Sequence, residues 1–214
     1  MVRMPFDLRG YQYQRGVDVL RKSAASGLTA LAHEVRALER QLADYRRNGE
    51  FDGDCDEDGV VLWDRADLLS HEIAFAYGAL MELRKAFAIA AYHHWERSVQ
   101  LWIEIDAPDK KNAREYKDIS KAASKIGYPA DVELPRVNAL ANMLKHNSKN
   151  SGTRLLQLWP DILLPQAQNF TNPTHRVSDV QLGDEHLNEI FDIVSRSGPN
   201  ENWGNFVAVA DIKG

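Results

Sequence analysis

The chain has one cysteine, Cys55, so an intrachain disulfide cannot form and a cysteine-rich metal site is excluded. Long apolar runs are missing as well. The best of them, Ala86 to Trp95, holds two histidines and falls short of the roughly 20 apolar residues that cross a bilayer. The first residues, MVRMPFDLRGYQYQRG, lack the apolar centre of a secretory signal. These absences lead us to expect a cytoplasmic protein with no membrane association. A Gly-rich phosphate loop is absent, as is a Gly-x-Ser-x-Gly elbow, and the lone cysteine sits in an acidic stretch that disfavours a thiolate. Nucleotide hydrolysis, serine hydrolysis and cysteine catalysis therefore have little support. His-x-x-x-His spacing is also absent around His71, His93 and His94. Adjacent histidines on a helix point about 100° apart, so His93 and His94 do not share one ion. We expect no metal and no cofactor.

What is present is an ordinary globular composition, with 44% hydrophobic and 27% charged residues over 214 positions. It predicts one domain over residues 1–214, mainly α, with a helical core at about 17–160 and an extension at about 161–214. From Val17 to Arg47 apolar residues recur three or four apart, which predicts an amphipathic helix stopped at Asn48-Gly49. A long second helix is predicted from Asp64 or Asp67 to Ile105. One of its stripes runs Leu69, Ile73, Ala76, Leu80, Leu83, Phe87, Ala90 and His94; another runs Tyr77, Met81, Ala88, Ala91, Trp95, Val99 and Trp102. Two stripes require burial on two sides, so this helix is expected to be the central rod of an antiparallel bundle. A polar helix over Asp109–Ile126, the helix at Leu134–His146, a short helix at Arg154–Trp159 and an amphipathic helix from Asp184 through Val194 to the Gly198-Pro199 stop complete the α content. Weak alternation at His175–Leu182 and in the tail Trp203–Ile212 predicts minor β structure near the C-terminus.

Two stretches carry candidate chemistry. Asp54-x-Asp56-x-Asp58-Gly59 matches the first half of an EF-hand calcium loop, but the twelfth position, which needs a bidentate Glu, is Arg65. A solvated acidic connector is the plainer reading. The second stretch, Leu134 to Pro160, has Arg136, Lys145, Lys149 and Arg154 with no acid, in a chain of formal net charge -5. Within it Asn138, Asn142 and His146 line one face of the helix at i, i+4, i+8. A histidine titrating near neutrality can take a proton from a ribose 2′-hydroxyl, and the neighbouring cations can hold phosphate. The same residues also suit a solvated helix end, where cations meet the negative end of the dipole.

The plan of a long central helix and a shorter helix with a polar residue one turn before a terminal His resembles the HEPN domains of prokaryotic toxin–antitoxin, abortive-infection and CRISPR systems. Asn142 matches the polar residue of their Arg-x(4–6)-His motif, His146 matches its histidine, and Lys145-His146-Asn147 is similar to the Lys-His-Gly or Lys-His-Asn ending of several HEPN-like groups. The resemblance implies a homodimer and a metal-independent endoribonuclease in a defence or toxin setting. His146 and Asn142 would then be catalytic, and Lys145, Lys149, Arg154 and Arg136 would hold RNA. Where the motif has its arginine this chain has Ala141. Arg136 is ten residues before His146, roughly 15 Å along a helix, so Arg84 or Arg97, with His94, are the candidates to supply that charge from the central helix. The alternative is a non-catalytic interaction or dimerisation module of a defence complex, which binds a protein partner.

Overall fold

The computed structural model describes residues 7–110, 113–168 and 177–200. The fold is mainly α with a small β element. Two compact units divide it, residues 22–86 and residues 1–21 with 87–214, and the division falls within both long helices.

Helix α1, Leu8–Asn48, starts ahead of the Val17 at which the apolar period becomes regular. The polar residues that obscure the period are occupied by specific bonds. Gln14 Nε2 donates to the carbonyls of Ser195 and Pro199 at 3.0 and 2.9 Å, and Ser195 Oγ donates to Gln14 Oε1 at 2.6 Å. Tyr13 and Val17 are buried one turn apart, and the Tyr13 hydroxyl donates to the Val194 carbonyl.

In the unit of residues 22–86, the acidic stretch is a β-hairpin of β1 (Gly53–Cys55) and β2 (Val61–Asp64), paired antiparallel with a bulge after Asp54. Gly59, at φ 77°, closes the turn with a bond to the Asp56 carbonyl. The carboxylates of the supposed calcium half-loop are used on backbone amides: Asp56 Oδ1 accepts from Asp58 and Val60, and Asp54 Oδ1 from Cys55. Arg65 pairs with Asp52 at 3.2 Å. The EF-hand reading is thus replaced by a hairpin turn. Among the described residues no cluster of three His, Cys, Asp or Glu is placed to hold a metal.

Asp64 caps helix α2, Arg65–Asp106, by accepting from the Asp67 amide at 2.9 Å. In this unit the apolar residues that α2 buries, Leu69, Ala76 and Leu80, lie on the first stripe, and Lys85 is buried on another face; Tyr77 of the second stripe is exposed and donates to Glu39. Further along, the buried residues Ala88, Ala91, Tyr92, Trp95, Val99, Trp102 and Ile103 form one face, that of the second stripe, while Phe87, Ala90 and His94 of the first stripe are half-buried, so the expected full burial on two sides is not met. No helix among the described residues is long and apolar enough to cross a membrane.

The other unit holds that second half of α2 and four shorter helices. Helix α3, Tyr116–Lys125, is shorter than predicted, because Pro108–Lys110 forms a 3-10 turn. Helix α4, Leu134–His146, carries Pro135 in its first turn. Helix α5, Lys149–Leu158, follows after two residues and packs on α4. Helix α6, Asp184–Arg196, also packs on α4 and buries Leu187, Ile190, Phe191 and Val194. The predicted strand before it is, over its described part, a 3-10 turn at Val177–Asp179 and a single bridge between Leu163 and Val180. His175 and the tail Trp203–Ile212 lie outside the described residues.

Candidate site at the end of helix α4

Helix α4 faces the core with Leu134, Val137, Leu140, Ala141 and Met143. Its polar line climbs out of that core. Asn138 is 2% exposed, Asn142 is half-buried and His146 is exposed. An asparagine at the depth of Asn138 must find partners or lose about 1–3 kcal/mol to desolvation. It finds them on both sides: Asn142 Nδ2 donates to Asn138 Oδ1 at 3.3 Å, and Asn138 Nδ2 donates to the Tyr92 hydroxyl of α2 at 2.7 Å.

The chain of bonds continues along α2. Tyr92 OH donates to Glu96 Oε1 at 3.5 Å, and Glu96 Oε2 lies 3.1 Å from His93 Nδ1. Burial first, and then the charge of Glu96, push the Tyr92 hydroxyl far above its ordinary range, so it stays protonated. Lys145 sits with its ammonium 5.6 Å from the centre of the Tyr92 ring, a cation–π distance. Asn142, Lys145 and the pair His93–Glu96 are therefore gathered around one buried phenol.

His146 is the last residue of α4 and makes no hydrogen bond or ion pair among the described residues. One turn separates it from Asn142, which puts their Cβ atoms about 5–6 Å apart. Asn147 ends the helix in the left-handed region at φ 46°, and its Oδ1 accepts from the Val177 amide at 3.2 Å. Ser148 then caps α5 by accepting from the Ser151 amide. The predicted polar loop is thus a sharp helix-to-helix corner. It places exposed Lys149 in the first turn of α5 and exposed Arg154 one turn later.

The remaining cations go elsewhere. Arg136 packs its guanidinium 4.4 Å over the Trp159 ring, lies 3.0 Å from Glu133 and bonds to Glu189 at 2.5 Å. It ties α4 to α6 and to Trp159 at the end of α5, with Nη2 on Glu189 and Nε beside Glu133. His94 points to α1, with Nε2 3.0 Å from the Tyr13 carbonyl and its ring stacked on Tyr13 at 4.9 Å. Burial lowers its proton affinity below the ordinary histidine value, so it is a neutral core histidine. Arg97 is exposed on α2, and Arg84 belongs to the unit of residues 22–86. Ala141, at the position of the motif's arginine, is 1% exposed.

The sequence aligns Asn138 with Asn142 and His146, and nothing in it joins them to His93 and Glu96 of α2. Tyr92 gave no signal, because a tyrosine in an apolar stretch reads as core. No family model matches the chain, and neither a curated protein nor a solved structure does.

Proposed function

We propose that the chain is an RNA-binding, metal-independent endoribonuclease whose working site is the outer end of α4. The supporting observation is the polar line that rises from buried Asn138 through Asn142 to exposed His146, whose side chain has no bonded partner among the described residues, with Lys145 next to it on α4 and Lys149 and Arg154 exposed on α5. In the reaction, His146 takes the proton of a ribose 2′-hydroxyl and the freed oxygen attacks the adjacent phosphorus. The bond to the 5′-oxygen breaks, and that oxygen takes a proton from water, while His146 returns its own proton to solvent. The products are a 2′,3′-cyclic phosphate and a 5′-hydroxyl. Lys145 and Lys149 hold the phosphate as its charge develops.

The test is cleavage of a labelled RNA in the presence of a chelator, with end-group analysis. Wild type should give cyclic-phosphate ends, and His146→Ala should lower the rate by about 10²–10⁴-fold. Equal rates for the two proteins would remove His146 from the mechanism.

A second reading, a non-catalytic interaction module, is favoured by a different observation. In the unit of residues 22–86, Phe51, Val60, Leu62, Trp63, Leu68 and Phe75 are all exposed. The buried alanine in place of the motif's arginine fits that reading too. It expects no cleavage at any enzyme concentration, and it expects Leu62→Lys with Phe75→Lys to abolish association with the partner.

A further inference from the structure

The bonds that hold Asn142 have a direction, and that direction decides which end of its amide faces outward. The carboxylate of Glu96 only accepts hydrogen bonds. The single hydroxyl proton of Tyr92, whose ionisation is suppressed by burial, is therefore drawn to Glu96 Oε1. Having given its proton there, the Tyr92 oxygen accepts, and it receives Asn138 Nδ2 at 2.7 Å. Asn138 then turns its oxygen toward the surface, where it receives Asn142 Nδ2 at 3.3 Å. Asn142 keeps Oδ1 wholly outside these bonds, together with the second N–H of its Nδ2. The reverse polarity would set the unshared oxygen of Tyr92 against the Glu96 carboxylate, two acceptors facing one another.

We infer that Tyr92, Asn138 and Glu96 are positioning residues that present Asn142 Oδ1 as an acceptor, so that Asn142 receives a hydrogen bond from the 2′-hydroxyl of a ribose flanking the one whose proton His146 takes. The inference rests on the RNA reading above and assigns, within it, which group of the substrate Asn142 recognises. His93, held at Nδ1 by the second oxygen of Glu96, forms the other open end of the same network. Lys145, seated over the Tyr92 ring, remains as the cation for the phosphate. Sugar discrimination and phosphate binding thereby fall to different residues of one helix turn.

The test compares three oligonucleotides of one sequence, with ribose, 2′-O-methyl and 2′-deoxy sugars, bound to the full chain carrying His146→Ala to prevent turnover. The inference predicts that RNA binds about five- to tenfold more tightly than either analogue, the worth of one hydrogen bond of about 1 kcal/mol. Adding Asn142→Ala or Tyr92→Phe should bring that ratio close to one while leaving the affinity for the 2′-O-methyl strand unchanged. Lys145→Ala should weaken all three strands alike and keep the ratio. A ratio that survives Tyr92→Phe would overturn the inference, and so would an Asn142→Ala variant that loses all three strands equally. Should no oligonucleotide bind, the functional reading falls, and the side-chain amide resonances of Asn142 still decide the positioning. They should shift in Tyr92→Phe, which keeps the ring and removes only the hydroxyl; resonances that do not move would overturn it.

Discussion

His94 and Asn138 both interrupt apolar stripes, and their surroundings give them opposite uses. His94 is spent on packing: its ring fills the space beside Gly16, where an added Cβ would lie 2.2 Å from His94 Cε1. Gly16→Ala should therefore cost about 1–3 kcal/mol through overpacking, seen as a lower midpoint in thermal or urea unfolding; an unchanged midpoint would mean the helix shifts freely there. His94 also sets a pH dependence. Its proton affinity in the folded chain is below the ordinary value of 6.5, so below that value the unfolded state takes up a proton that the folded state refuses. Its contribution to stability is present above about pH 6.5 and is lost as pH falls below it. His94→Phe should flatten the loss of stability between pH 7.5 and 5.5, measured by urea unfolding at each pH; a slope equal to that of wild type would assign the effect to other groups. Asn138 has the other use. Its burial is compensated by two hydrogen bonds, and one of them reaches Asn142 on the way to solvent.

At the scale of elements, helices announced by strong periodicity were legible, and their ends were legible where a cap or a proline marks them, as in α2 and α4. The span of α2 was readable because apolar residues fill two stripes and Asp64 stands at its start. The beginning of α1 was hidden, because Tyr13 and Gln14 gain their place from the carbonyls of Val194, Ser195 and Pro199, far along the chain. The hairpin at Gly53–Asp64 was read as a connector because its strands are short and exposed, with no alternation to betray them. Much of the candidate site could be read from the spacing on α4, where Asn142 and His146 share a face. The part supplied by α2 could not, since only packing brings Tyr92 to Asn138. The corner between α4 and α5 depends on the Ser148 cap. Ser148→Ala should cost about 1 kcal/mol of stability and weaken phosphate binding through Lys149, checked by unfolding and by salt-dependent RNA titration. A variant with full stability would show that the Asn147 turn holds the corner by itself.

At the scale of the whole molecule, the two units differ in how much apolar surface they bury. Residues 22–86 bury Ala24, Leu28, Val35, Leu69, Ala76 and Leu80, and they leave Leu62 62% and Phe75 78% exposed. Among the described residues the other unit buries Tyr13, Tyr92, Trp95, Trp102, Tyr128 and Trp159, together with the apolar faces of α4 and α6. Local opening costs less where fewer apolar contacts are lost. Backbone amides of residues 22–86 should thus exchange with solvent faster than those of α4, α6 and the second half of α2. Uniform protection across the chain would contradict this division. The basic end of α4 belongs to the better-packed unit. The central claim is that this end of α4 takes up RNA. Its most direct test is to titrate the isotope-labelled chain with a 2′-O-methyl oligonucleotide, which cannot be cleaved through its 2′ position, and to follow amide shifts. The account predicts that the largest shifts fall on Asn142, Lys145, His146 and Lys149; shifts confined to residues 51–75, or none at all, would contradict it.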